Sequence, residues 1–227
     1  MKITWLGQAG LLLRANDAVI MIDPYLSNSV EKINPSNYRR TPIKQSVFNI
    51  TPDVMIFTHD HLDHYDPETA PRFLKKTDKC MTVLSPTSVW QKARTNGGGH
   101  NYVQFDRHTE WSEYGLRFTA VKAVHSDAHA IGVVIEDMIS GKQVYITGDT
   151  LYNTDIFGDI KGDIDALFLP INGVGNNMNM TDAARFAQRI GAKVTVPYHF
   201  VMFDELDGSG INAVAVHIPR AYEEFEI

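Results

Sequence analysis

The residues best suited to chemistry stand together in the run THDHLDH at positions 58–64. Positions 59–64 hold three histidines and two aspartates, directly after the apolar stretch VMIF at 54–57. Imidazole nitrogens and carboxylate oxygens both bind Zn²⁺ and related divalent ions. A solvated polar turn is the plain alternative, but this density of ligand types at a strand end favours a metal site.

The spacing within the run predicts which side chains share a metal. Because side chains alternate along a strand, His59 and His61 point to one side and Asp60 points away. If the chain then turns into a helix, Asp63 and His64 leave the strand and can face a second metal.

Short apolar runs rich in β-branched residues predict the strands that position these side chains. They lie at 2–6, 10–14, 18–22, 54–58, 81–84, 116–124, 131–136, 143–147, 166–169 and 193–196. Helices are predicted at 67–76 behind Asp66, at 87–94, and at 182–190 between Thr181 and Gly191. This order favours an α+β fold of two mostly β halves covered by helices. The longest irregular stretch, 24–52, is a candidate lid.

The composition is that of a globular protein without a basic field. The 227 residues carry 21 Lys and Arg against 27 Asp and Glu, a net charge of −6. We therefore expect a single domain, 1–227, without a nucleic-acid partner, and the charge still allows a small anionic substrate. The first residues lack the apolar core of a signal peptide, so we expect a cytoplasmic protein with no membrane partner. Cys80 is the single cysteine of the chain, so a closed structural metal site built from several cysteines is not possible. An open hydrolytic metal site is favoured instead.

The pattern HxHxDH after an apolar strand resembles the signature of the metallo-β-lactamase superfamily. The later motifs of that family are matched in order by His125 after the strand at 116–124, by Gly148-Asp149 after 143–147, and by His199 near the C-terminus. The resemblance covers essentially the whole chain. It implies a four-layer αββα sandwich, in which two mixed β-sheets are flanked by helices.

Carried over residue by residue, the resemblance implies a binuclear site. One metal would be held by His59, His61 and His125, the other by Asp63, His64 and His199, with Asp149 bridging both and Asp63 also counted as catalytic. An iron-binding oxidoreductase branch of the superfamily carries a carboxylate at the position of His61, so hydrolysis is favoured here. The implied cofactors are two divalent ions per chain, Zn²⁺ or Mn²⁺, with Fe²⁺ also compatible.

Three further stretches resemble the branch that contains L-ascorbate-6-phosphate lactonase: ITWLGQAG at 3–10, the pair Asp23-Pro24, and LPING at 169–173. The resemblance implies a hydrolase of a small, anionic, phosphorylated substrate, in which a metal-bound hydroxide attacks a lactone or ester carbonyl or a phosphodiester. The alternative is a non-catalytic metal-binding or scaffold protein with the same fold. Oligomers are common in this branch, so a homo-oligomer is compatible with the resemblance.

Residues around the motifs supply the remaining candidates. His129, four residues after His125, is a candidate proton donor to a leaving group. Asp23 is either a partner that orients a ligand histidine or a simple strand-end turn. The candidate substrate-binding residues are two guanidinium groups in the long loop and two amides ahead of the third helix, namely Arg39, Arg40, Asn172 and Asn176. Solvated loops are the alternative for both pairs.

Overall fold

A computed structural model describes residues 1–204 and 206–227, and its first sheet has seven strands. These are β1 (Lys2–Gly7), β2 (Gly10–Ala15), β3 (Ala18–Ile22), β4 (Val54–Ile56), β5 (Thr82–Ser85), β6 (Asn101–Gln104) and β13 (Glu224–Glu226). Their order is β13-β1-β2-β3-β4-β5-β6. The pairs from β3 to β6 are parallel and those from β13 to β3 antiparallel.

The second sheet has six strands and is also mixed. These are β7 (Glu110–Glu113), β8 (Leu116–Lys122), β9 (Ile131–Asp137), β10 (Gln143–Ile146), β11 (Ala166–Pro170) and β12 (Val194–Tyr198). Strands β10, β11 and β12 run parallel, while β7 to β10 form antiparallel pairs. Each predicted strand is confirmed, whereas β6, β7 and β13 were not predicted.

Three α-helices flank the sheets: α1 (Ala70–Leu74), α2 (Thr87–Asn96) and α3 (Met180–Ile190). The prediction of a helix from residue 67 is wrong, because the Asp66 carboxylate accepts the Glu68 backbone N–H and the Thr69 hydroxyl in a turn ahead of α1. The prediction that Thr181 precedes α3 as its N-terminal cap is also wrong, whereas Gly191 follows the helix as predicted. Asn179 caps this helix by accepting the Asp182 N–H at 2.9 Å. Short 3₁₀ helices span Gln45–Asn49 and Thr154–Gly158.

Alternation along the strands builds the layers. On β3, Ile20 and Ile22 lie in the core between the two sheets, whereas Met21 joins the outer cluster that holds Phe73 of α1. On the far side, Phe186 of α3 packs near Tyr145 of β10, with ring centroids 6.3 Å apart. The order is therefore helices, sheet, sheet, helix, as predicted.

The long segment 24–52 is packed onto the body of the protein. Its Leu26 N–H donates to Thr69 Oγ1, and the Arg40 N–H donates to the carbonyl of Val201. Within the described residues, no helix combines the length and the apolar character that a bilayer crossing requires.

Candidate metal centre

Strand ends position the side chains of the centre. Parallel neighbours end at the same edge of a sheet, so the residues that follow them meet there. Asp23 follows β3 and the run containing His59 follows β4, while Asp149 and His199 follow β10 and β12. The Ile131 N–H donates to the Thr58 carbonyl at 3.0 Å, which ties the ends of the two sheets together.

Gly148 fixes the approach to Asp149. Its φ is +61°, and a Cβ atom there would lie 2.7 Å from the Ile131 carbonyl oxygen and 3.1 Å from Thr58 Cβ. A side chain would therefore be both strained and obstructed. The glycine lets the chain turn tightly out of β10 and direct the carboxylate inwards.

The structure brings all seven predicted ligands together. They form three overlapping groups in which the ligand atoms lie within 4.8 Å of one another: His59, His61 and His125; His59, His64 and Asp149; Asp63, His64 and His199. We call the first group the histidine half and the last group the acidic half. Asp149 lies between them, with Oδ1 3.1 Å from His199 Nε2 and Oδ2 4.0 Å from His125 Nε2.

In the histidine half, each ring has an acceptor on the nitrogen that faces away from the centre. His59 Nδ1 lies 3.0 Å from the Thr58 hydroxyl, which itself donates to Asp23. His61 Nε2 lies 3.1 Å from the Ser126 hydroxyl. His125 Nδ1 lies 3.2 Å from the backbone carbonyl oxygen of Asn176. An outer N–H on each ring leaves the inner nitrogen with a free lone pair.

In the acidic half, the Asp23 carboxylate is the acceptor that faces the outer nitrogen of His64. Its Oδ2 lies 2.8 Å from His64 Nδ1, and its Oδ1 accepts the Thr58 N–H at 2.8 Å. His64 Nε2 is thereby directed at Asp149 Oδ1, 3.2 Å away, and at His199 Nε2, 3.0 Å away. Asp23 is fully buried, and of the two interpretations of this residue its contacts favour the orienting partner.

The donor set fits divalent metal ions. His59 Nε2 is buried and has no hydrogen-bond partner among residues 1–204 and 206–227, which is costly for a polar atom without a ligand. Two inner nitrogens, of His64 and His199, face each other beside a carboxylate. Nitrogen and oxygen donors in this arrangement suit Zn²⁺, Mn²⁺ or Fe²⁺.

The two halves differ in electrostatics. Burial, with repulsion from His64, lowers the pKa of His59 well below its usual value, and burial also lowers the pKa of His125. Burial opposes the charged form of His64 too, but Asp149 and Asp23 outweigh it and raise that pKa well above its usual value. Asp149 and Asp63 likewise outweigh burial and raise the pKa of His199.

The carboxylates respond in the opposite direction. Burial would raise the pKa of Asp149, yet His199 and His64 hold it well below its usual range. Burial would also raise the pKa of Asp63, but its hydrogen bond to His199 lowers it. Both groups are therefore ionised at neutral pH and available to a cation.

Two supporting amides were not predicted from the sequence. Gln8 Nε2 donates to Asp63 Oδ2 at 2.9 Å and lies 3.2 Å from His199 Nδ1. Asn177 Nδ2 donates to Asp149 Oδ2 at 2.7 Å. Single amides carry no pattern that reveals such contacts, although Gln8 lies in the stretch ITWLGQAG that resembles the lactonase branch.

Arg39 does not lie where a substrate clamp would be. Only 6% of its surface is exposed, and its guanidinium donates to the carbonyls of Leu6, Tyr25 and Thr41 and to the Tyr222 hydroxyl. These contacts favour a structural role for Arg39 over the predicted substrate contact, because the donors of this side chain are directed at the protein.

Arg40 also has protein partners. Its guanidinium donates to Asp204 and to the Met202 carbonyl, and it stacks over the Tyr38 ring at 4.3 Å. An exposed ion pair of this kind contributes little to stability. These contacts do not favour the predicted substrate clamp.

The remaining candidates lie around the rim. Asn172 Nδ2 is 2.8 Å from His199 Nδ1, and Asn176 faces His125 through its backbone carbonyl. His129 is exposed, and its backbone N–H donates to Asp127 Oδ1. In the described residues its ring makes no hydrogen bond to the centre, so its role as a proton donor stays a prediction. Asp60 pairs with Lys92 of α2, away from the centre as expected.

Comparison with known proteins identifies the family. The model of the beta-lactamase superfamily domain matches residues 19–200. A UPF0173 metal-dependent hydrolase from Ligilactobacillus salivarius is 30% identical over 217 residues, which cover 89% of this chain and 86% of the relative.

Solved structures show the same architecture. Igni18, a metallo hydrolase from Ignicoccus hospitalis, superposes with a TM-score of 0.74 at 21% identity over 100% of this chain and 98% of its own. The metallo-beta-lactamase fold protein YhfI from Bacillus subtilis gives a TM-score of 0.70 at 17% identity over 99% of each chain. The predicted fold is confirmed. The chain belongs to the metallo-β-lactamase superfamily and, within it, to the UPF0173 metal-dependent hydrolases.

Proposed function

We propose that the protein is a dinuclear hydrolase that holds one divalent metal ion in each half of the centre, with Asp149 shared between them. The observation that carries this proposal is the convergence of seven ligand-type side chains in three overlapping groups within 4.8 Å. A single ion held by any one of these groups of three would leave the other four ligand-type side chains without a metal. Two ions about 3.5–4 Å apart are typical of hydrolytic centres.

When bound, two such ions supply a Lewis acid and a water molecule of lowered pKa. The chain's own residues prepare for that chemistry. Asp149 is held by Asn177, and the outer partners of the histidines fix the ring orientations. Asp63 is the more open of the two ligand carboxylates, with 16% of its side chain exposed against 4% for Asp149. Asp63 is therefore the ligand carboxylate that a substrate or water molecule can reach, and we assign to it the catalytic role expected from the sequence.

The finer part of the proposal concerns the substrate. We infer a small molecule with a lactone or ester carbonyl or a phosphodiester phosphorus at the point of attack. The sequence stretches that resemble the lactonase branch support a carbonyl, and Gln8 and Asn172 of those stretches lie against the acidic half. An anionic group on the substrate would be drawn to the metals themselves, because Arg39 and Arg40 are engaged elsewhere.

The protein is first purified without chelator, and its metal content per chain is measured by elemental analysis. Metal-free and refilled samples are then assayed on bis-p-nitrophenyl phosphate and on a sugar-phosphate lactone. His61→Ala is the active-site variant, and His217→Ala is the matched control, because His217 packs against Phe225 away from the centre.

We expect about two metals per chain and metal-restored turnover in the wild type and in His217→Ala, and loss of turnover together with one of the two metals in His61→Ala. The preferred substrate then identifies carbonyl or phosphorus as the natural target. Metal without turnover on either substrate would favour the non-catalytic alternative, and absence of bound metal would contradict the dinuclear centre.

A further inference from the structure

We propose that Asn172 is a positioning residue that holds His199 in its metal-binding form, with the amide oxygen and not the amide nitrogen directed at the ring. The proposal deepens the dinuclear function and rests on it. It assigns to Asn172 a role towards a ligand, where the sequence suggested a contact with substrate.

His199 differs from the other histidines of the centre in the atoms around its outer nitrogen. The outer nitrogens of His59, His61, His64 and His125 all face an oxygen. Each of those rings can place its proton outside and its lone pair inside. His199 differs from them, because an amide nitrogen, Asn172 Nδ2, lies against its outer nitrogen, Nδ1.

Of the two amides near His199, Asn172 is the one directed at Nδ1 alone. Asn172 Nδ2 lies 2.8 Å from His199 Nδ1, whereas Gln8 Nε2 lies 3.2 Å from Nδ1 and 3.4 Å from Nε2 and so stands beside both ring nitrogens. In this orientation the Asn172 N–H occupies the lone pair of Nδ1, which leaves the proton of a neutral ring on the inner nitrogen. Gln8 already has an acceptor in Asp63 Oδ2 at 2.9 Å, so Asn172 is the amide with freedom to turn.

The Asn172 amide can turn at small cost. Rotation about the Cβ–Cγ bond of Asn172 exchanges its oxygen and nitrogen and leaves the rest of the residue in place. The contact of Oδ1 that is lost is a long bond of 3.3 Å from the Val174 N–H. The turn places Nδ2 beside the Val174 N–H, but Val174 is 49% exposed, so this N–H can donate to water instead.

The consequence concerns the inner nitrogen. With the amide oxygen on Nδ1, the ring carries its proton outside, and Nε2 presents a lone pair between Asp63 and Asp149. This is the arrangement that a metal ligand needs. A leucine at position 172 fills similar space without an acceptor, whereas an aspartate offers only acceptors.

The experiment uses the full chain freed of metal and then titrated with Zn²⁺ by calorimetry. Asn172→Leu is expected to weaken one of two zinc sites by about 10–100-fold, the usual loss for an outer partner. Asn172→Asp should keep both sites at or above the wild-type affinity. Asn101→Leu is the matched control, because it makes the same exchange at an exposed position of the edge strand β6.

Nitrogen NMR of the zinc-loaded wild type gives a second readout that does not depend on a variant folding. We expect the His199 ring to carry its proton on Nδ1 and to bind zinc through Nε2. Wild-type affinity in Asn172→Leu, or a His199 Nδ1 without a proton in the zinc-loaded protein, would overturn the proposal while leaving the two-metal function intact. Wild-type protein that binds no zinc would overturn both.

Discussion

The two halves of the centre are built from similar ligands but supported differently. The histidine half has three imidazoles, oriented by two hydroxyl groups and a carbonyl. The acidic half has two imidazoles and a carboxylate, and a second carboxylate, Asp23, lies behind it. The negative charge is therefore concentrated on one side, and this side attracts cations of every kind, metal ions and protons alike.

The largest expected effect comes from the residue that the halves share. Asp149→Ala removes the carboxylate that faces His64, His199 and His125, and leaves these rings to repel one another. We expect metal affinity to fall in both halves by more than the roughly 100-fold typical of outer partners. Zinc titration and elemental analysis measure this. Retention of two tightly bound metals would show that Asp149 does not join the halves.

Removal of one ligand from each half, in separate variants, tests whether the two halves differ in metal affinity. His125→Ala should leave the acidic half with one metal, and His199→Ala should leave the histidine half with one. Because charge favours the acidic half, the metal kept by His125→Ala should resist a competing chelator longer. Elemental analysis after dialysis against the chelator gives the comparison. If His199→Ala holds its metal longer against the chelator than His125→Ala does, the histidine half binds metal more tightly, contrary to this prediction.

The sequence predicts those parts of the centre that depend on local pattern, and it misses those that depend on contacts between distant segments. The seven ligand positions stand directly after strands or in one run, so pattern and resemblance are enough to find them. The contacts of Gln8 and Ser126 join segments that are distant in the chain, and a single amide or hydroxyl has no periodic signature. Asn177 stands out in the sequence only as part of a polar loop, because its bond to Asp149 depends on how that loop folds back.

The same reason explains the errors in the fold. Strands β6, β7 and β13 lie at sheet edges, where polar residues face water and apolar alternation is weak. Arg39 stands in a polar loop, yet the fold buries it against carbonyl groups from two other segments. Local sequence predicts the ends of core strands well, but the burial of a loop residue depends on tertiary contacts.

A milder change sharpens the contrast between the outer partners. Asp23→Asn removes a buried charge behind His64, and Ser126→Ala removes an exposed hydroxyl beside His61. We expect Asp23→Asn to lower zinc affinity by about 10–100-fold and Ser126→Ala to lower it less, since water can replace the hydroxyl. Equal losses in calorimetric titrations would mean that the outer charge adds nothing to the acidic half. Circular dichroism of both variants controls for folding.

The smallest expected difference is in pH dependence. In the metal-free protein the pKa values of His64 and His199 are raised, so these rings carry protons at pH values where His59 and His125, with lowered pKa values, do not. A metal entering the acidic half must displace those protons, so its affinity should fall as pH decreases, about tenfold per pH unit for each proton displaced. In the histidine half the affinity should stay flat until more acidic pH.

Zinc titration of His125→Ala and His199→Ala from about pH 8 to about pH 6 separates the two slopes, because each variant keeps one half. The steeper slope should belong to His125→Ala, the variant that keeps the acidic half. Equal slopes would show that the surrounding carboxylates do not distinguish the two sites. If zinc affinity depends more steeply on pH in His199→Ala, the negative charge is not concentrated in the acidic half. The charge that strengthens metal binding in the acidic half thus also makes that half the more sensitive to acid.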